Sequence, residues 1–79
     1  MREFAKVILD FLEETYKDAY TYHFEYNPFV SWDKCLELYV SDKTFRIRVI
    51  SEKILELYKL YKNGYDNIWQ EALIEAIER

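Results

Sequence analysis

The sequence predicts an α+β fold: one helix, three antiparallel strands and two further helices, in that order, with the helices on one face of the sheet. Three observations predict it. The apolar spacing runs at three and four residues, switches to two, and then returns to three and four. Only one Gly and one Pro interrupt 79 residues, so the chain is not built from loops. Apolar residues make up 51% and aromatic residues 19%, and large rings bury the area that a short chain otherwise lacks. A single domain over residues 1–79 is expected, because the usual one-domain length is about 100 to 200 residues.

Residues 2 to 19 read as an amphipathic helix. Phe4, Val7, Ile8, Phe11, Leu12, Tyr16 and Ala19 lie on one face, with Lys6, Asp10, Glu13, Glu14 and Lys17 opposite. Glu13 and Lys17 stand at the spacing of a favourable ion pair. Tyr20, Tyr22, Phe24 and Tyr26 then alternate with Thr21, His23 and Glu25 as a strand with an aromatic face. Asn27-Pro28 ends it, because proline donates nothing to a ladder and restricts its predecessor.

A second strand sets Leu36, Leu38 and Val40 against Cys35, Glu37 and Tyr39. After a turn at Ser41-Asp42-Lys43, a third sets Phe45, Ile47 and Val49 against Arg46, Arg48 and Ile50. The two form a hairpin, and Arg46 or Arg48 can pair with Glu37 across it. Ser51 is expected to cap the next helix, with Ile50 stapled to Leu55. Asn63-Gly64 stops that helix. Asp66 or Asn67 is expected to cap the last, whose apolar face is Ile68, Trp69, Ala72, Leu73, Ala76 and Ile77.

The composition excludes several functions. Cys35 is the only cysteine, so no internal disulfide forms. With His23 as the only histidine, the spacing of a zinc site is missing. No metal or cofactor is expected. No apolar run approaches the roughly 18 residues of a membrane span. Glu3 and Asp10 interrupt what would be the apolar core of a secretory leader, so a cytoplasmic protein is expected.

The net charge is -4. Residues 1–42 carry nine acids and four bases, giving -5, and residues 43–79 carry six acids and seven bases, giving +1. No cluster of Lys and Arg offers a track for phosphates, which argues against direct nucleic-acid binding.

Catalytic groupings are sparse. Glu13-Glu14 and Asp42 show no sign of the cleft that pushes paired carboxylates apart in pKa. His23 and Cys35 share a face parity on neighbouring strands, but no third group orients them, and acidic surroundings raise a thiol pKa. The expectation is therefore not an enzyme. What stands out is acidity and surface aromatics. Glu71, Glu75 and Glu78 line one side of the last helix, with Asp66 at its start. Tyr39 on the open sheet face and Tyr65 before the last helix are the rings expected at an interface.

Two segments carry a family resemblance: the junction Val49-Ile50-Ser51-Glu52 with the helix beyond it, and Lys62-Asn63-Gly64-Tyr65 before a final acidic helix. Over its second half the chain resembles a small phage-encoded type II anti-CRISPR protein. The resemblance implies an inhibitor that binds an RNA-guided nuclease where the target duplex would be read, using acids in place of phosphates. On this reading Asp66, Glu71, Glu75, Glu78, Tyr39 and Tyr65 contact a nucleic-acid-processing enzyme and exclude its DNA. The alternative is a homodimeric interaction module, joined through the open face or edge of the sheet.

Overall fold

A computed structural model describes residues 2–26 and 36–78. Helix α1 (Arg2–Tyr16) is followed by strands β1 (Thr21–Tyr26), β2 (Leu36–Ser41) and β3 (Arg46–Val49), then by helices α2 (Ser51–Lys62) and α3 (Asp66–Ile77). The strands form one antiparallel sheet in the order β1-β2-β3. Tyr22 lies opposite Val40 and Phe24 opposite Leu38, while Val40 faces Ile47 and Leu38 faces Val49. This register puts every apolar member on the same side. That side is covered: α2 lies over β2 and α3 over β3. The expected architecture is what the chain adopts.

Leu36, Leu38, Val40 and Val49 from the sheet meet Ile54 and Leu57 from α2, and Trp69, Leu73 and Ile77 from α3. Helix α1 closes the core with Phe4, Ala5, Ile8 and Leu12. Its contact with the other helices is made by rings. Phe4 lies 5.0 Å from Tyr61, 5.6 Å from Tyr58 and 5.4 Å from Trp69, and Phe11 lies 5.3 Å from Trp69. The Tyr22 hydroxyl donates to the Leu12 carbonyl at 3.2 Å and ties β1 to α1.

Several boundaries differ from the sequence reading. Helix α1 ends at Tyr16 and does not reach Ala19, which is exposed. Lys17 takes a left-handed conformation with φ 53°, so its side chain leaves the helical row and the Glu13–Lys17 pair does not form. Lys6 and Asp10 make the i,i+4 pair instead, at 3.2 Å. Strand β1 starts at Thr21, leaving Tyr20 in the connection. Ser51 is the first helical residue of α2 rather than its cap. Ile50 occupies the cap position, so it is one residue too late to serve as a staple, and it is exposed.

Tyr65 likewise takes the cap position of α3, and neither Asp66 nor Asn67 does. Asp66 remains exposed, and its Oδ1 accepts from Trp69 Nε1 at 3.2 Å. Ile68 is exposed. At about 100° per residue it sits roughly 140° from the centre of the Trp69–Leu73–Ile77 stripe. The Asn63-Gly64 stop forms as expected, with Gly64 at φ 81°. Cys35, Pro28 and Arg79 lie outside the described residues.

Candidate functional site

The sequence assigned six residues to partner contact, and the fold sets them on separate surfaces. Tyr39 stands on the outer face of the sheet, away from all three helices. Tyr65 lies at the α2–α3 turn, 54% exposed beside Ile68 at 51%. Glu71, Glu75 and Glu78 form an exposed row on α3, opposite its buried stripe. Asp66 is not part of that row. It lies about 140° round the helix from Glu71, on the side of Trp69.

Tyr39 is held by its neighbours. Its hydroxyl donates to Glu37 Oε2 at 3.3 Å, and Arg46 lies 4.3 Å from its ring centroid. Arg48 Nε is 3.7 Å from Glu37 Oε2, which realises the expected cross-strand pair on the diagonal. His23 is exposed on the same face, 3.5 Å from Glu25. Glu25 and Glu37 are directly opposite, a like-charge arrangement that His23 and Arg48 flank. The outer face is thus a mixed, internally paired surface.

The α3 row leads to a different place. The C-terminal ends of α1 and α3 converge, and neither helix has a basic residue in its last turn. The negative dipole ends of two helices therefore meet in one region, and Lys17, directly after α1, offsets part of that potential. Glu78 stands there, beside Tyr16. Burial first, and then the Glu78 carboxylate, push the Tyr16 hydroxyl from 10.0 to about 12. Its oxygen is buried and, among the described residues, finds no acceptor in hydrogen-bonding geometry, although Glu78 is close enough to act on it. Tyr22 is raised too, by burial first, then by Tyr20, Glu13 and Asp18.

Tyr16 packs edge-on to Tyr20 at 4.9 Å, and Tyr20 to Phe45 at 5.4 Å. Glu13, Lys17 and Asp18 flank Tyr20 and Tyr22 on one side of this cluster. On the other side, an open groove of about 690 Å³ is lined by Tyr20, Phe45, Ile47, Ile77 and Glu78. Among the described residues, Glu13, Asp18, Glu71, Glu75 and Glu78 form no ion pair. This acidic, tyrosine-rich end is the candidate site.

Of its members, sequence reasoning had named only Glu78 as a contact, and had reached the α3 row leading to it. Tyr16 read as core and Tyr20 as strand. The sequence pattern gave no signal at the first helix, because Lys17 falls in the last turn of the helix read over residues 2 to 19, and only the observed end at Tyr16 leaves that turn without a base.

Among the described residues no group of His, Cys, Asp and Glu is arranged to hold a metal ion, and no helix is long and apolar enough to cross a membrane. No family model, curated protein or solved structure matches the chain.

Proposed function

We propose that this chain is a non-enzymatic binding protein whose acidic end occupies a basic site on a nucleic-acid-processing enzyme and keeps nucleic acid out of it. The observation that carries the reading is the convergence of two helix C-termini with Glu13, Asp18 and Glu78 around a half-buried tyrosine cluster. Among the described residues these carboxylates form no ion pair, so their field is left for a partner and steers association with a basic surface. The tyrosines add contact area at low entropy cost. Glu71 and Glu75 extend the charge along α3. The resemblance to type II anti-CRISPR proteins makes a guide-loaded RNA-guided nuclease the first partner to test.

The test is a binding titration against that nuclease across salt, with duplex DNA as competitor. Affinity should fall as salt rises, duplex should compete, and Glu75→Lys with Glu78→Lys should abolish binding. Salt-independent binding, or binding unaffected by duplex, ends the charge-mimic reading.

A second reading has one observation in its favour. Among the described residues β1 and β3 are edge strands without a further partner, and open edges pair with other copies. Edge-to-edge homodimers would show a mass that rises with concentration in light scattering, and a constant monomer mass removes this alternative.

A further inference from the structure

The groove beside the tyrosine cluster has a composition more specific than acidity. Its walls are the rings of Tyr20 and Phe45, held edge to face at 5.4 Å. Ile47 and Ile77 supply aliphatic lining, and among the described residues Glu78 is the one charged group that lines it. Glu78 is also the residue that terminates α3, so its carboxylate adds to the negative end of that helix. Ile77 is buried, and Tyr20, Phe45 and Ile47 are half-buried. The apolar part is therefore an open extension of the core.

We propose that this groove receives a single arginine or lysine side chain from a basic partner. The long aliphatic stem of such a residue covers apolar surface while its head stays polar. A cation near Tyr20 and Phe45 is attracted by the ring faces, and Glu78 with the α3 carbonyls supplies the counter-charge. A neutral side chain of the same shape gains only the stem contact. An acidic one is repelled. The inference deepens the binding reading above by naming the chemistry of one contact, and it rests on that reading only for the identity of the partner.

The experiment is an NMR titration of the full chain with arginine amide, lysine amide and citrulline amide, the last being a neutral isostere of arginine. No enzyme is present, so its outcome is separate from that of the nuclease assay. The expected result is that arginine and lysine amides shift the Tyr20, Phe45 and Ile47 resonances, while citrulline amide does not. Glu78→Gln should weaken the arginine effect about threefold to tenfold, and Glu14→Gln, on the exposed face of α1 and outside the groove lining, should leave it unchanged. Both replaced residues are exposed, and an unaltered far-ultraviolet spectrum checks the fold.

Three results would overturn the proposal. Equal shifts from citrulline amide would make the groove a general apolar surface. Equal weakening by Glu14→Gln and Glu78→Gln, or an absence of groove shifts, would leave only diffuse charge. Movement of Tyr20 and Phe45 in Arg79→Gln before any ligand is added, with no further shift on adding arginine amide, would make the chain's own arginine the occupant.

Discussion

Two ring clusters lie along α1, and they are built differently. Near its start, Phe4 and Trp69 are fully buried and meet Tyr58, Tyr61 and Phe11. The one polar atom of Trp69 is satisfied by Asp66. Near its end, Tyr16, Tyr20 and Phe45 are half-buried, the Tyr16 hydroxyl has no acceptor among the described residues, and carboxylates stand around them. The first cluster joins three helices. The second fills the place where α1 and α3 end and the sheet begins, so its rings have a core on one side and solvent on the other. Rings of similar type thus serve stability at one end of the helix and leave a surface available for recognition at the other.

The largest expected difference comes from truncating one ring in each cluster. Trp69→Ala should cost about 3 to 5 kcal/mol, close to the whole stability of a domain this small. Trp69→Phe is the variant that remains measurable. Tyr20→Ala should cost about 1 to 2 kcal/mol, since a half-buried ring loses less area and its site opens to water. Urea unfolding checks both, and equal losses would break the distinction between the clusters.

A smaller effect tests the satisfied indole. Asp66→Ala leaves Trp69 Nε1 without its acceptor at the edge of the core, at about 1 to 2 kcal/mol. Asp66→Asn keeps an oxygen acceptor and should recover part of the loss in the same unfolding assay. Equal losses for the two variants would mean that the Asp66 charge at the start of α3, not its hydrogen bond, matters.

The core was legible in the sequence because burial follows period. Leu36, Leu38, Val40 and Val49 alternate, and Trp69, Leu73 and Ile77 recur every fourth residue. Helix ends were less legible. Ser51 and Asp66 have the chemistry of caps, yet each lies one residue inside its helix, because capping strength is small beside the packing that fixes where the helix starts. The candidate site was legible only in part. The α3 row follows from spacing on one helix, whereas the meeting of Glu78 with Tyr16 and Tyr20 depends on how α1 crosses the other elements. Local pattern does not carry that information. Tyr39 and Tyr65 were grouped with the acids by composition, and the fold places them on other surfaces.

Tyr16 offers a test confined to the second cluster. Its hydroxyl is raised to about 12 against an ordinary 10.0, so the folded chain holds that proton more tightly than the unfolded one. The associated stability is complete below pH 10 and is lost as pH rises towards 12. Tyr16→Phe removes both the titrating group and a buried oxygen without an acceptor. It should leave stability at pH 7 within about 1 kcal/mol of the parent, on the favourable side, and should flatten the alkaline decline. Denaturant midpoints at pH 8, 10 and 11 check it. A marked loss at pH 7 would mean that the hydroxyl has a partner that stabilises the fold.

The smallest effect concerns Lys17, where two terms oppose each other. Its left-handed backbone, φ 53°, costs a residue with a Cβ about 1 to 2 kcal/mol, and glycine avoids this while losing more freedom on folding. Lysine in turn brings a positive charge to the C-terminus of α1, worth about 0.3 to 1 kcal/mol at low salt. Lys17→Gly should therefore be nearly neutral at low salt and stabilising by about 0.5 kcal/mol at high salt, where screening removes the charge contribution but leaves the backbone one. The variant also removes a cation from the acidic end, so a basic partner should associate faster with it at low salt. Greater stability at high salt together with faster association at low salt separates Lys17 as a backbone compromise from Lys17 as a contact. A slower association would instead place its ammonium among the groups that a partner uses.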